Sequence, residues 1–252
     1  MLTLNHIAVC VAGRTLVQVD ALQAVPGQVV ALLGANGAGK TSLFKVMTGE
    51  LSHQGQVMLH DIPFSQWSRN RLAKHLGVLP QASQLSFPFT VHEVVELGLI
   101  PLTASQQEGM QLVRKAMQET DTAQFAQQNY ADLSGGERQR VHLARVLVQL
   151  SQAELEPLLL LDEPTSAQDL GQQHHMLALV RQLAQQNHWG VIVILHDLNQ
   201  ALRYCDQAWL LKQGQLIACG QPCEVLTPER IHAAWGYQPQ MITTDTGIPM
   251  VY

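Results

Sequence analysis

The sequence predicts an α/β fold: a mixed sheet core, a β-rich opening with an antiparallel β subdomain, and a helical insertion. Three observations carry that reading. Short, wholly apolar runs, VVALLG (29–34), PLLLLD (157–162) and VIVIL (191–195), have the character of parallel strands buried on both faces. A glycine-rich loop, GANGAGKT (34–41), joins the first of these runs to a helix. From about Gln84 to Glu156 the strand signals fade and helical periodicity takes over.

Taken in order, residues 2–9 read as a strand, followed by VVALLG and a helix from Lys40 to about Thr48. GQVMLH (55–60) and HLGVLP (75–80) read as further strands. VHEVVELGL (91–99), EGMQLVRKAMQE (108–119) and ERQRVHLARVLVQL (137–150) read as the helices of the insertion. Strands return at 157–162 and 191–195, with a helix at about 170–187 between them. AWLLKQGQLIACG (208–220) reads as a hairpin turning at Gln213-Gly214, and two small helices are expected to close the chain. No internal repeat and no low-complexity segment appears beyond scattered glutamines. The division expected is one domain over 1–252, with a nucleotide-binding core and β subdomain at 1–83 and 157–252 and a helical subdomain at 84–156.

Composition narrows the function. The 252 residues are 46% hydrophobic and 14% charged, which suits a chain with a sizeable core. A formal net charge of −5 and the lack of a basic block argue against nucleic acid as a partner. Cys10, Cys205, Cys219 and Cys223 form no CxxC pair, so reduced, structural thiols of a cytosolic protein are expected. The opening MLTLNHIAVC lacks the basic start and apolar run of a signal peptide. No apolar stretch approaches the ~18 to 20 residues of a membrane span, so any membrane role is expected to come through a partner.

GANGAGKT fits GxxxxGK[ST] in the strand–loop–helix context that its chemistry demands. The loop Gly34, Ala35, Asn36, Gly37, Ala38, Gly39 would wrap a β-phosphate with the amides of Ala35 to Gly39. Lys40 would reach the β/γ oxygens, and the hydroxyl of Thr41, followed by Ser42, would hold magnesium. Glycines at 34, 37 and 39 are in the wrong order for a dinucleotide fingerprint. LLLLDEP (158–164) supplies the second element of a phosphate site: Asp162 at a strand end for magnesium, and Glu163 as general base on the attacking water. His196 ends the next apolar strand, at the sheet edge where ligands of open α/β sheets collect, placed to meet a γ-phosphate.

LSGGERQR (133–140) raises a different question. Two glycines after Ser134, with Glu137 opening a helix, make a second anion cradle in a chain that already has one.

GANGAGKT, LPQ (79–81), LSGGERQR, LLLLDEP, SAQD (166–169) and ILHD (194–197) come in the order and approximate spacing of ABC-type ATPase subunits, which the chain resembles over nearly its whole length. The resemblance implies a P-loop NTPase fold of ABC type, ATP and Mg2+ as cofactors, and an answer to the second cradle. Two subunits would pack head to tail, with Ser134, Gly135, Gly136 and Glu137 of one serving in trans the ATP held by Lys40 of the other. It also implies that Gln81 senses the metal site and acts in catalysis, and that Asp169 runs along the dimer interface. Val11 stands where an adenine-stacking ring is usual, Gln168 where a leucine is, and Ala35 where a proline is frequent; Thr41-Ser42 inverts the frequent Ser-Thr.

A single lean cassette resembles transporter ATPases more than the soluble clamps of DNA repair or translation. LPQASQLSFPFTVHEVVELGLIP and the long LVQLSQAELEPLLLLDEP are most similar to haem-importer ATPases within the iron-chelate, vitamin B12 and haem group. This implies a homodimer bound to two copies of a polytopic permease at the cytoplasmic face of a bacterial inner membrane, served by a periplasmic haem-binding protein. A ferric-siderophore or vitamin B12 importer, or a soluble ABC ATPase acting on a macromolecule, is the alternative. The pair His174-His175 is expected on a solvated helix face, and Pro222-Cys223 reverses the order used by haem-regulatory sites, so direct haem binding is not expected. The stretch 222–252 gives no functional signal.

Overall fold

The computed structural model describes residues 1–81, 88–166, 168–245, 247 and 249–252. The opening is a pair of long strands, β1 (Leu2–Val11) and β2 (Arg14–Ala24), followed by β3 (Val29–Leu33) and α1 (Lys40–Met47). β4 (Gln54–Leu59), the short β5 (Ile62–Pro63), α2 (Arg69–His75) and β6 (Leu76–Leu79) follow. The helical stretch is α3 (Val91–Glu96), α4 (Gln106–Glu119) and α5 (Gly135–Leu150). Then come β7 (Leu158–Asp162), α6 (Leu170–Asn187), β8 (Gly190–Ile194), α7 (Leu198–Tyr204), the hairpin β9 (Gln207–Lys212) and β10 (Gln215–Gly220), α8 (Pro222–Val225) and α9 (Pro228–Trp235). The two small helices do not close the chain, as the sequence had suggested. A second hairpin, β11 (Met241–Thr243) and β12 (Pro249–Val251), follows and is pinned to α7 by Asn199, which exchanges hydrogen bonds of 3.1 and 2.8 Å with the Val251 backbone.

The main strands form one sheet in the order β5-β4-β1-β2-β10-β9-β3-β8-β7-β6. β6, β7, β8, β3 and β9 run parallel, whereas β1, β2, β4 and β5 pair antiparallel. The antiparallel part is therefore continuous with the parallel part, joined where Gln215 of β10 faces Gln18 of β2.

Alternation explains why the central runs are apolar throughout. Ala31, Leu159, Leu161 and Val193 point into one core, packed by α3, α4, α5 and α6; Val30, Leu32, Leu158, Leu160 and Ile192 point into the other, packed by α1 and the antiparallel strands. Each valine, leucine or isoleucine among them contributes roughly 1.5–3 kcal/mol by leaving water. α5 departs from a one-faced helix. Val141, Leu143, Ala144, Val146, Leu147, Val148 and Leu150 are all buried, because β6, α2, α3 and α4 pack around it.

α2 was not visible in the sequence reading, and it anchors the long segment after α5. His75, fully buried at its last turn, donates from Nδ1 to the Arg71 carbonyl at 2.8 Å and accepts from the Leu155 amide at Nε2 at 3.3 Å. The Glu154 carboxylate lies 3.1 Å from that nitrogen, and His60 Nε2 meets the Glu156 carbonyl at 2.8 Å. All four cysteines are free, as expected, but only Cys205 is buried; Cys10, Cys219 and Cys223 are exposed rather than core thiols. The expected SFPFTV and SAQD stretches fall partly outside the described residues, at Ser86, Phe87 and Ala167.

Inside the helical stretch, buried His142 hydrogen-bonds the Tyr130 hydroxyl at 2.8 Å. Burial, reinforced by the Arg145 charge, pushes its pKa down to about 4. An unfolded histidine, near 6.5, binds a proton that the folded one refuses, so this group's contribution to stability is complete above about pH 6.5 and is lost as pH falls toward 4. Urea unfolding should therefore show His142→Gln losing about 2 kcal/mol less than the wild type between pH 7 and pH 5. Equal acid losses in the two proteins would contradict this assignment.

Candidate functional site

β3 delivers the chain at Leu33 into the loop of Gly34 to Gly39, and α1 starts at Lys40. Glycine is required at both ends of the loop. Gly34 has φ +148°, and a Cβ there would stand 2.4 Å from the Leu211 carbonyl oxygen; Gly39 has φ +100°, and its Cβ would meet the Leu16 carbonyl oxygen at 2.9 Å. No side chain caps α1, so its first amides and its positive dipole end face the loop without an internal acceptor. Lys40 is buried and folds back over the loop, donating to the carbonyls of Gly34 at 2.8 Å and Ala35 at 3.2 Å. Burial lowers its pKa, opposed by the charges of Glu163 and Asp162. That opposition places both carboxylates beside the lysine.

The carboxylates come from β7, which lies between β6 and β8 in parallel register: Leu79 faces Leu161 and Asp162 faces Ile194. The carboxyl ends of three adjacent strands thus reach the same edge. There Gln81 Nε2 donates to Glu163 Oε2 at 2.6 Å, and His196 Nε2 donates to Glu163 Oε1 at 2.5 Å. The three residues singled out separately in the sequence meet at one carboxylate, one partner on each oxygen. Glu163 itself has φ +50°, a left-handed conformation that a glutamate rarely adopts, and its carbonyl accepts from the Ser166 amide and hydroxyl at 3.2 and 3.0 Å. Asp162 has its pKa raised by burial first and by the neighbouring Glu163 charge second, with Lys40 and His196 opposing.

The second cradle is built differently. α5 begins at Gly135, two residues before the position expected, and Ser134 caps it. Glu137 Oε2 accepts from the Ser134 amide at 2.7 Å and from its hydroxyl at 2.6 Å, while the Glu137 amide donates to Ser134 Oγ at 3.3 Å. This is a capping box. The two hydrogen bonds its carboxylate accepts from Ser134 lower the pKa of Glu137 and keep it an anion. Among the described residues no side-chain hydrogen bond or ion pair links Ser134 to Glu137 with the Gly34 to Ser42 loop.

The remaining residues are placed as follows. Asp169 caps α6, accepting from the Gln172 amide at 2.9 Å. Val11, at the end of β1, is about half exposed. His174 is half-buried and bonded to the Tyr204 hydroxyl at 2.8 Å, so the solvated pair expected from the sequence is reduced to His175 alone. Sequence reasoning missed three buried glutamine and threonine side chains, Gln139, Thr165 and Gln200.

Comparison with known proteins agrees with this geometry. The profile of the ABC transporter family matches residues 17–166. A hemin import ATP-binding protein of Shewanella denitrificans is 49% identical over 253 residues, covering 100% of both chains. Its counterpart in Vibrio cholerae is 50% identical over 227 residues, covering 90% of this chain and 88% of that protein. Among solved structures, a metal-chelate type ABC transporter in an inward-facing conformation superposes with a TM-score of 0.83 at 24% identity, covering 100% of this chain and 96% of that one. Clostridium perfringens cbiO1, part of an ABC transporter complex, superposes with a TM-score of 0.79 at 26% identity, covering 93% and 95% of the two chains. The paired cradles, the carboxylate edge and the full-length match together place this chain in the ABC transporter family, among its ATP-binding subunits.

Proposed function

We propose that this chain hydrolyses ATP to power haem import through a separate membrane permease, closing head to tail with a second copy of itself around ATP. The observation that carries the catalytic part is Glu163 held between Gln81 and His196 beside the glycine-rich loop. The cargo rests on the hemin import relatives, which match 90% and 100% of the chain. Among the described residues no helix is long and apolar enough to cross a membrane, so transport requires the permease. In this reading the chain works at the cytoplasmic face of a bacterial inner membrane, with two permease copies and, upstream, a periplasmic haem-binding protein. Residues 84–156 act as a helical subdomain against the nucleotide-binding core.

The amides of Ala35 to Gly39 take the β-phosphate, and Lys40 exchanges the Gly34 and Ala35 carbonyls for β/γ oxygens. Magnesium fits the donors available. The Thr41 hydroxyl, the Asp162 carboxylate and the Gln81 carbonyl are hard oxygen ligands, and a divalent charge relieves the burial and repulsion that raise the Asp162 pKa. When bound, it offsets phosphate charge. Glu163 takes the proton of the attacking water as the water oxygen bonds the γ-phosphorus and the bond to the bridging oxygen breaks, leaving ADP. Gln81 aims the carboxylate, and His196, which shares it in the absence of nucleotide, turns its N–H to the γ-phosphate when ATP is present. Ser134, Gly135 and Gly136 of the second copy meet that phosphate at the dipole end of α5, the Ser134 hydroxyl released by Glu137, and Asp169 lies along the shared interface.

Glu163→Gln should lower ATP turnover by about 10²-fold or more while leaving an ATP-stabilised dimer visible by size exclusion with light scattering. Turnover at the wild-type level would remove Glu163 as base, and a monomer at saturating ATP would remove the head-to-tail closure. In a host lacking the gene and given haem as sole iron source, the wild-type chain should restore growth and Glu163→Gln should not, with ferric salts supporting every strain. Growth of the deletion strain on haem, with no second haem importer, would transfer the cargo to siderophores or vitamin B12.

A further inference from the structure

Between the end of α4, the first half of α5 and the first half of α6 lies a cavity of about 300 Å³ that the proposed chemistry does not use. That volume is at the lower end for small-molecule sites. Its apolar wall is Leu143 of α5, fully buried, with Met176 and Leu179 of α6. Gln172 and His175 complete the face that α6 turns to it, at helical spacing from Met176 and Leu179. Glu119 and Asp121 line it from the end of α4 and are exposed, so they form its rim.

Arg140 of α5 makes this more than a packing gap. It is half-buried in the cavity wall, and its Nε is closed off from water with no partner. Among the described residues no hydrogen bond or ion pair holds the rest of its guanidinium either. Arg138 and Arg145 on the same helix each find a backbone carbonyl, of Ala131 and of Val78. Glu137, one turn earlier, feels the Arg140 charge, but its carboxylate is committed to Ser134. Glu119 is paired with Lys115 at 3.8 Å, Asp121 accepts from Gln124 at 3.4 Å, and neither forms an ion pair with Arg140. A partly desolvated charge without a bonded counter-ion is costly. Its planar fork of N–H donors is also the side chain best shaped to take a carboxylate by two parallel bonds.

A ligand that satisfies the whole cavity carries a carboxylate for Arg140, an ammonium for the acidic rim and an apolar arm for Leu143, Met176 and Leu179. We propose that the cavity is a regulatory site for an α-amino acid with an apolar side chain. Bound there, it links α4 and α5 to α6, the helix that begins beside Asp169, and so sets how readily the chain hydrolyses ATP. The binding half stands on the cavity alone. The regulatory half rests on the ATPase reading above, and the test separates the two.

Titration calorimetry on the full chain without nucleotide would use L-leucine and L-methionine as probes. Isocaproate, isoamylamine and glycine serve as analogues that lack the ammonium, the carboxylate or the apolar arm. At least one of the two amino acids should bind saturably with a Kd below about 1 mM, and each analogue about tenfold or more weakly. Arg140→Gln should weaken the amino acid and isocaproate alike, because both present a carboxylate. Glu119→Gln, a change at the exposed rim that keeps the fold, should weaken the amino acid and leave isocaproate as it was. Steady-state ATP turnover of the wild type should change by about twofold or more when that amino acid is saturating. No saturable binding of either amino acid would overturn the proposal, as would binding that both variants leave intact or binding without a change in turnover. A wild-type chain with no ATP turnover in any condition would sink the functional reading instead, and the calorimetry would still decide whether the site exists.

Discussion

The site depends on the parallel register of β6, β7 and β8. Side chains alternate with a period of two along a strand, so a slip of one residue would turn Leu158 to Leu161 inside out and carry Glu163 to the other side of the edge. Apolar side chains packed on both faces make that slip prohibitively costly. The same burial that builds the core therefore fixes where Gln81, Glu163 and His196 emerge. Three residues spread from 81 to 196 reach hydrogen-bonding distance because the strands behind them have no freedom to move.

That edge holds opposed charges under tension. Asp162 and Glu163 repel each other and are partly removed from water, while Lys40, also buried, is attracted to both and bonded to neither. Its ammonium is satisfied by two loop carbonyls instead. A phosphate chain with a divalent cation would supply what each group lacks: negative charge for the lysine and the bare α1 amides, positive charge for Asp162. The left-handed backbone at Glu163 adds strain that Ser166, bonded twice to its carbonyl, helps to hold.

Much of this was legible in the sequence because it is written locally. Apolar runs of five or six residues, the spacing of glycines and lysine in 34–41, and the acid pair after PLLLL need no knowledge of distant neighbours. The failures share the opposite character. β2 was missed because Val17, Val19, Leu22 and Ala24 are inward but break alternation at 20–21. α2 is one short helix with a single buried residue, His75, whose partners beyond the helix lie about 80 positions away. Glu137 read as the start of a helix because a capping box is recognised from the serine forward, not from the acid. The glutamines looked like scattered polar filler; only the fold shows that Gln139, Gln168, Gln173 and Gln200 come from three elements and a loop to form one line.

The two cradles differ in a way that assigns them different work. The α1 end has no side-chain acceptor, so its amides are available to any anion the loop admits. At α5, the capping box has already used the serine: Ser134 has one hydroxyl proton, and it is given to a Glu137 carboxylate that the same bonds keep charged. An anion approaching α5 meets the amides and the helix dipole attractively and Glu137 repulsively. It obtains the serine hydroxyl only by displacing that carboxylate. A cradle of this kind would bind an anion weakly alone and be completed by one already fixed elsewhere, the role that the proposed head-to-tail arrangement gives it. In that proposal, the asymmetry between a bare helix end and a capped one is a reason for the chain to act as two copies.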